Sequence, residues 1–172
     1  MQARLFWIPG PWKGRLAMMP RPRGGDWLED EIRSWKDSGI AIVVSFLTRE
    51  EQAELDLLEE KRFCLENGIE YLSYPIPDRQ IPASKTTFSE QIEACSEQLL
   101  QGKNIVVHCR QGIGRAALAA IALLCRAGVE LNQAIEAVSA ARGCPVPETA
   151  EQSAWLADLT RTIPIKSPRL VG

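Results

Sequence analysis

Short apolar runs alternate with amphipathic stretches along most of the chain. The run over residues 40–46 is continuous, β-branched and of strand length, which is typical of a parallel strand buried on both faces. Between such runs, apolar residues recur at helical spacing, as in the series Leu28, Ile32 and Trp35. This alternation predicts an α/β fold, in which a central, mostly parallel sheet of about four to five strands has helices on both faces.

The ends of the elements are predicted from capping residues, glycines and prolines. Strands are expected at residues 5–8, 16–19, 40–46, 70–75 and 104–107. Helices are expected to begin at three capping boxes, formed by Asp26 with Glu29, Thr48 with Glu51, and Thr87 with Glu90. The pattern that begins at Thr48 runs to residue 67, and later helices are expected at 114–127, 131–142 and 148–161. Residues 1–172 are assigned to one domain, with a core at about 16–160 and a flexible tail at 162–172.

Composition and charge narrow the class of protein. Of 172 residues, 45 % are hydrophobic and 24 % charged, which is ordinary for a globular protein and argues against disorder. The net charge of −2 argues against a broad nucleic-acid-binding face. No apolar run approaches the length of a membrane span, and Pro9 interrupts the N-terminal apolar stretch too early for a secretory signal. We therefore expect a cytoplasmic protein with no nucleic-acid or membrane partner.

The cysteines and the histidine indicate neither a metal centre nor a disulfide framework. There are five cysteines, none in a C-x-x-C pair, and a single histidine. Cys95 and Cys125 continue apolar stripes at helical spacing, so we interpret both as buried core residues. No metal and no cofactor is expected.

One segment combines several features of an anion site. Residues 108–115 read HCRQGIGR and join a predicted strand to a predicted helix. Backbone N–H groups of such a turn can converge on an anion, and the helix N-terminus adds its dipole. Arg115 can bind two oxygens of a phosphate, and the positive potential favours the thiolate form of Cys109. The residues expected to contact the anion are Arg110, Gln111, Gly112, Ile113, Gly114 and Arg115.

The pattern H-C-x5-R resembles the signature of the cysteine-dependent protein tyrosine phosphatase superfamily. The size of the chain looks most like the dual-specificity and related small bacterial phosphatases, and the resemblance extends from about residue 16 to residue 159. It implies that Cys109 attacks phosphorus to form a phosphocysteine, with Arg115 as the phosphate clamp. Ala116 departs from the family pattern, which has Ser or Thr there. In the family that hydroxyl is understood to stabilise the sulfur as a leaving group.

Two further segments resemble the family. PIPDRQIP, residues 75–82, resembles its general-acid loop with Asp78 as the acid, and VPETAEQSAWL, residues 146–156, resembles its late Gln-bearing helix. From the residues alone, Asp78 could also be a solvated turn residue. Gln152 shares a helical face with apolar residues, so its amide needs a hydrogen-bonding partner. It could orient the attacking water or satisfy backbone groups, and the sequence leaves both open.

Three other residues flank the predicted site. His108 is expected behind the loop, where its side chain would fix the loop by hydrogen bonding. Arg79 and Arg110 flank the expected mouth of the pocket. Each is either a solvated surface charge or a contact to substrate.

The sequence thus predicts a cysteine-dependent phosphatase that acts on a phosphorylated protein or peptide. Phosphotyrosine is the expected substrate, and phosphoserine and phosphothreonine stay open. A phosphate-recognising binding module without turnover is the alternative, because Ala116 replaces the usual hydroxyl. A rhodanese-like sulfurtransferase also places a cysteine in a strand-to-helix loop, but Asp78 and the spacing to Arg115 argue against it.

Overall fold

A five-stranded sheet forms the centre of the molecule. The computed structural model describes residues 4–164. The strands are β1 (Phe6–Ile8), β2 (Leu16–Pro20), β3 (Ile40–Ser45), β4 (Glu70–Ser73) and β5 (Asn104–Cys109). They lie in the order β1-β2-β5-β3-β4. β1 pairs antiparallel with β2, and the remaining pairs are parallel, which confirms the predicted mostly parallel sheet.

Helices cover both faces of this sheet, as predicted. They are α1 (Leu28–Asp37), α2 (Arg49–Glu54), α3 (Glu60–Glu66), α4 (Lys85–Leu100), α5 (Arg115–Arg126), α6 (Leu131–Arg142) and α7 (Ala150–Thr160). α1 and α3 contribute to the core on one face, and α4 to α7 contribute to the core on the other. Every residue of α5 is buried, and its alanines let the sheet and the neighbouring helices approach it closely.

Two predicted capping boxes are wrong, and in each the structure places the helix start elsewhere. Asp26 lies inside a 3₁₀ turn, Gly25–Trp27, which precedes α1, so it caps no helix. The N-cap of α4 is Ser84, three residues before the predicted cap, and its side chain accepts a hydrogen bond from the Thr87 N–H. A serine upstream satisfies the same orphan N–H groups, which is why the local pattern alone misplaced the start.

The helix predicted over residues 48–67 is interrupted. The capping box of Thr48 and Glu51 is present, but α2 ends at Glu54 and α3 starts only at Glu60. Between them Asp56 adopts a positive φ of 54°, a left-handed conformation that ends a helix. The break sets α2 apart as a short helix, which follows β3.

β5 is the central strand, and its C-terminal end lies between the ends of β2 and β3. Pro20 of β2 pairs with Cys109, and Ser45 of β3 pairs with His108. Loops that follow parallel strands gather at their carboxyl ends, where α/β proteins bind ligands.

Among residues 4–164, no helix has the length and apolar character needed to cross a bilayer. The predicted tail lies largely outside the described residues.

Candidate active site

Cys109 is the last residue of β5, and its sulfur lies at the base of a tight loop. The residue is only 2 % exposed. The backbone N–H of Gly112 points back at Sγ, with an N···S distance of 3.3 Å. We call residues 109–115, which run from β5 to the start of α5, the anion loop. The loop thus directs a backbone hydrogen-bond donor at the sulfur.

Gly112 is required by the shape of the anion loop. Its φ is +67°, a left-handed conformation that favours glycine. A Cβ there would lie 2.6 Å from the backbone of Met19 and of Pro20. The loop therefore packs directly against the end of β2, and a larger residue would push it out of place.

Arg115 begins α5 and is held by a carboxylate that the sequence analysis did not single out for the site. Its side chain is 1 % exposed. Glu51 accepts hydrogen bonds from both terminal nitrogens of the guanidinium, at 2.7 Å from Nη1 and 2.9 Å from Nη2. Nη1 also donates to the carbonyl of Ile76 at 2.8 Å. This bidentate arrangement fixes the plane of the guanidinium at the anion loop.

The pair of Glu51 and Arg115 is ionised. Burial raises the pKa of Glu51, but hydrogen bonds from Arg115 and the Thr48 backbone outweigh burial and hold that pKa below its usual value. Burial lowers the pKa of Arg115, and the contrary effects of Glu51 and Cys109 outweigh it. Glu51 follows β3, the strand beside β5, at the carboxyl end of the sheet. That position was the signal from which a role for Glu51 in the site could have been predicted.

Asp78 lies beside Arg115, on the loop over residues 75–82 that we call the acid loop. Its Oδ1 accepts a hydrogen bond of 2.7 Å from Arg115 Nη2, and its side chain is 43 % exposed. A turn closed by the Gln80 N–H and the Pro77 carbonyl carries it, and Arg79 in that turn has a φ of 61°. The structure thus brings Asp78 to the same cluster as Arg115.

Gln152 joins the acid loop to α7. It is fully buried. Its Oε1 accepts from the Thr149 N–H at 3.2 Å, and its Nε2 donates to the Gln80 carbonyl at 3.2 Å. The amide therefore bonds backbone groups, one of the two roles that the sequence left open. Its side chain also lies close to Gly114, so it borders the anion loop.

His108 is buried at the end of β5, but its side chain bonds α3 and not the anion loop, so the expected hydrogen bond from the imidazole to the loop is absent among the described residues. Its Nε2 is 2.7 Å from Oε1 of Glu60, and both side chains are fully buried. Tyr71 lies on the same carboxylate, with its hydroxyl 3.4 Å from Oε2. Glu60 was not identified from the sequence, because α3 comes to β5 only through the fold.

The two arginines at the mouth make ion pairs on the surface. Arg110 pairs with Glu54 at 2.6 Å and lies 3.8 Å from Glu51, the carboxylate that holds Arg115. Arg79 lies 3.9 Å from Glu148. Acidic side chains thus accompany both arginines, and the contact to substrate weighed for each stays a prediction.

The remaining thiols are distinct from Cys109. All five cysteines are free, and Cys95 and Cys125 are buried, as predicted. Burial first, and then Glu70, raises the pKa of Cys95 to about 12; burial and Glu130 raise that of Cys125 to about 11. These two thiols stay protonated at neutral pH. Within residues 4–164, no group of three or more His, Cys, Asp or Glu side chains could hold a metal ion.

The sequence also matches a family model, whose description is "Dual specificity phosphatase, catalytic domain", over residues 36–161. The chain belongs to the dual specificity phosphatase family. The predicted family is confirmed, and β5, the anion loop and the acid loop all lie within the matched segment.

Relatives and solved structures agree with this assignment. Cyclin-dependent kinase inhibitor 3 of Sus scrofa is 29 % identical over 75 % of this chain and 61 % of its own length. The chain thus spans about three-fifths of the curated relatives it matches. The crystal structure of kinase associated phosphatase, with its catalytic-site cysteine replaced by serine, has a TM-score of 0.86 at 20 % identity, covering 95 % of this chain and 97 % of that one. Tk-PTP in its active form has a TM-score of 0.72 at 27 % identity, covering 92 % and 97 %.

Within this dual specificity phosphatase fold, Ala116 occupies the first turn of α5 and is fully buried. Its methyl group supplies no hydroxyl to the sulfur. The Gly112 N–H remains as a donor to Sγ. The departure noted in the sequence therefore lies directly after the anion loop, in the first turn of α5.

Proposed function

We propose that this chain hydrolyses phosphotyrosine in proteins or peptides through a phosphocysteine intermediate. The observation that carries the proposal is the meeting of Cys109, Arg115 and Asp78 at the end of β5, where Arg115 Nη2 is 2.7 Å from Asp78. Nucleophile, cation and acid are three groups that phosphoryl transfer needs in one place. Family membership over residues 36–161 supports the same mechanism.

In the first step the thiolate of Cys109 attacks phosphorus. The S–P bond forms as the bond from phosphorus to the ester oxygen breaks, and Asp78 gives its proton to that leaving oxygen. The equatorial oxygens face the N–H groups of the anion loop and the guanidinium of Arg115.

In the second step water attacks the phosphocysteine. The P–S bond breaks, the water proton passes to the Asp78 carboxylate, and inorganic phosphate leaves. Gln152 borders Gly114 and is joined to the acid loop through Gln80, so we assign it the positioning of that loop over the phosphocysteine. Ala116 leaves the sulfur without a hydroxyl donor, and this step is therefore expected to be the slower one.

Hydrolysis of p-nitrophenyl phosphate and of a phosphotyrosine peptide tests the proposal. Cys109→Ser should abolish turnover while keeping affinity for inorganic phosphate, because the loop N–H groups and Arg115 remain. Cys125→Ser is the matched control and should keep wild-type turnover. Activity of Cys109→Ser near that of wild type would overturn the nucleophile. Phosphoserine and phosphothreonine peptides in the same assay decide the range of substrates.

A second candidate function is phosphate recognition without turnover, and the buried Ala116 is the observation that favours it. Phosphopeptide binding by wild type, with no release of phosphate over many hours, would establish it in place of hydrolysis. The proposed location for either function is the cytoplasm, where free thiols such as these persist.

A further inference from the structure

Arg142, the last residue of α6, holds the outer side of the anion loop. Its Nε donates to the carbonyl of Gly112 at 2.9 Å, and its Nη2 donates to the carbonyl of Gln111 at 3.1 Å. An arginine at a helix C-terminus commonly bonds the carbonyls of its own last turn. This one instead bonds two consecutive carbonyls of the loop that carries the nucleophile.

These two hydrogen bonds determine where the loop N–H groups point. In a trans peptide the C=O and the following N–H point in opposite directions. With the Gln111 carbonyl directed at Arg142, the Gly112 N–H faces the other way, and it is the group 3.3 Å from Cys109 Sγ. By the same geometry, the Gly112 carbonyl on Arg142 turns the Ile113 N–H toward the inside of the loop.

The guanidinium of Arg142 is itself held by an aromatic ring. Its central carbon lies 4.3 Å from the ring centroid of Phe6, which is in β1. This cation–π contact restricts the plane of the guanidinium. Phe6 precedes the segment 36–161 that matches the family model, so a strand outside that segment supports the loop.

We propose that Arg142 is a positioning residue of the anion loop, and that Phe6 fixes Arg142 in turn. Arg142 binds no substrate atom. It orients the Gln111 and Gly112 peptides, so that the following N–H groups meet the sulfur and the oxyanion without reorganising. The proposal rests on the proposed function only in so far as the loop binds a phosphate-like anion.

Tungstate affinity, measured by calorimetry on the full chain, tests this role without requiring turnover. Arg142→Ala should weaken tungstate binding roughly 10- to 100-fold, because the loop peptides are then free to rotate. Arg142→Lys should restore part of that loss, since a single ammonium cannot reproduce the planar fork. Phe6→Leu should weaken binding about 2- to 5-fold, as expected for the loss of one cation–π contact.

Arg15→Ala is the matched control. Arg15 stacks on Trp7 at 3.8 Å, so it is also an arginine on a ring of β1. Trp7 packs against the core that contains α1 and α3, which is the opposite face of the sheet. This variant should bind tungstate as tightly as wild type. If Arg15→Ala weakens tungstate binding as much as Arg142→Ala does, the loss of any arginine that stacks on a ring of β1 is enough to weaken binding. That result would overturn the proposal.

Melting temperatures separate positioning from general stability. A positioning role predicts lower affinity and lower kcat in variants that are fully folded at the assay temperature. Folded Arg142→Ala with wild-type tungstate affinity would overturn it. If that variant does not fold, folded Arg142→Lys and Phe6→Leu carry the test, and wild-type affinity in both would be decisive against it. Wild type that binds tungstate but hydrolyses no phosphoester overturns the proposed function alone, and the relative affinities still decide the role of Arg142.

Discussion

Asp78 and Arg115 are hydrogen-bonded to each other, with 2.7 Å between Oδ1 and Nη2. The other N–H of Nη2 donates to Glu51 Oε1, at 2.9 Å. A phosphate that binds Arg115 through Nη2 must therefore displace the Asp78 carboxylate. The displaced carboxylate is then free to approach the leaving oxygen, so binding of the phosphoester and placement of the acid are one event.

Replacing Asp78 by alanine should separate these two effects. Without a carboxylate on Nη2, the affinity for inorganic phosphate should rise, since a competing anion is gone. Turnover of a phosphotyrosine peptide should fall by about 100- to 10,000-fold, the usual contribution of a general acid. Loss on p-nitrophenyl phosphate should be much smaller, because its leaving group needs little protonation. Equal losses on both substrates would indicate that Asp78 only supports the acid loop.

Glu51→Gln should weaken both the fold and the site. It leaves the buried guanidinium of Arg115 without its bidentate carboxylate, and removing one member of such a pair costs about 3 kcal/mol. Urea unfolding at pH 7 measures this loss. Glu50→Gln on the same helix is the control and should change little, since Glu50 is exposed.

The effect of Glu51 depends on pH in a fixed direction. Its pKa is lower in the folded protein than the ordinary 4.5, so its stabilising effect is complete above 4.5 and is lost as pH falls through the folded-state value. The free energies of unfolding of wild type and Glu51→Gln should therefore differ most at neutral pH and converge in acid. A difference that grows in acid would contradict this account of the ion pair.

Ala116→Ser should change the rate-limiting step. A hydrogen bond to a charged group is worth about 1.5–3 kcal/mol, so its absence at the departing sulfur should slow breakdown of the phosphocysteine about 10- to 100-fold. Rapid mixing of wild type with p-nitrophenyl phosphate should show a burst of about one equivalent of product, followed by slow turnover. The serine variant should lose the burst and gain kcat. If wild type shows no burst and serine brings no gain, the Gly112 N–H is a sufficient donor.

Glu60→Ala should destabilise the fold more than Tyr71→Phe. Glu60 is the partner of His108 at 2.7 Å, and its removal leaves a buried imidazole nitrogen without that bond. A buried polar group left unsatisfied costs about 1–3 kcal/mol. The Tyr71 hydroxyl is 3.4 Å from the same carboxylate, a longer and weaker contact. Thermal unfolding of the two variants checks the order, and the reverse order would show that Tyr71 is the principal support of Glu60.

The sequence predicted the parts of the site that lie in one continuous segment. Residues 108–115 carry their own strand, turn and helix start, so the spacing of Cys109 and Arg115 already implied an anion loop. Asp78 followed from the resemblance of a second short segment. The sheet and its layers followed from alternating periodicities, which depend on local pattern as well.

The residues that support the site were missed, because each reaches it across the chain. Glu51 is 64 positions from Arg115, Glu60 is 48 positions from His108, and Arg142 is 30 positions from Gly112. No periodicity links such pairs. Because the chain breaks between α2 and α3, Glu51 contacts Arg115 and Glu60 contacts His108. The single long helix expected there indicated neither contact.

The central place of β5 implies that two parts of the site, β5 and the acid loop, differ widely in the free energy needed to open their backbone hydrogen bonds. Amides of β5 are bonded on both sides, to β2 and β3, so their hydrogens should exchange with deuterium only when the whole protein unfolds. The acid loop lies on the rim and is tied down by few bonds, so its amides should exchange through local fluctuations. Solvent and substrate can thus enter past the acid loop at little cost in free energy. The sulfur of Cys109 keeps its position until the whole protein unfolds.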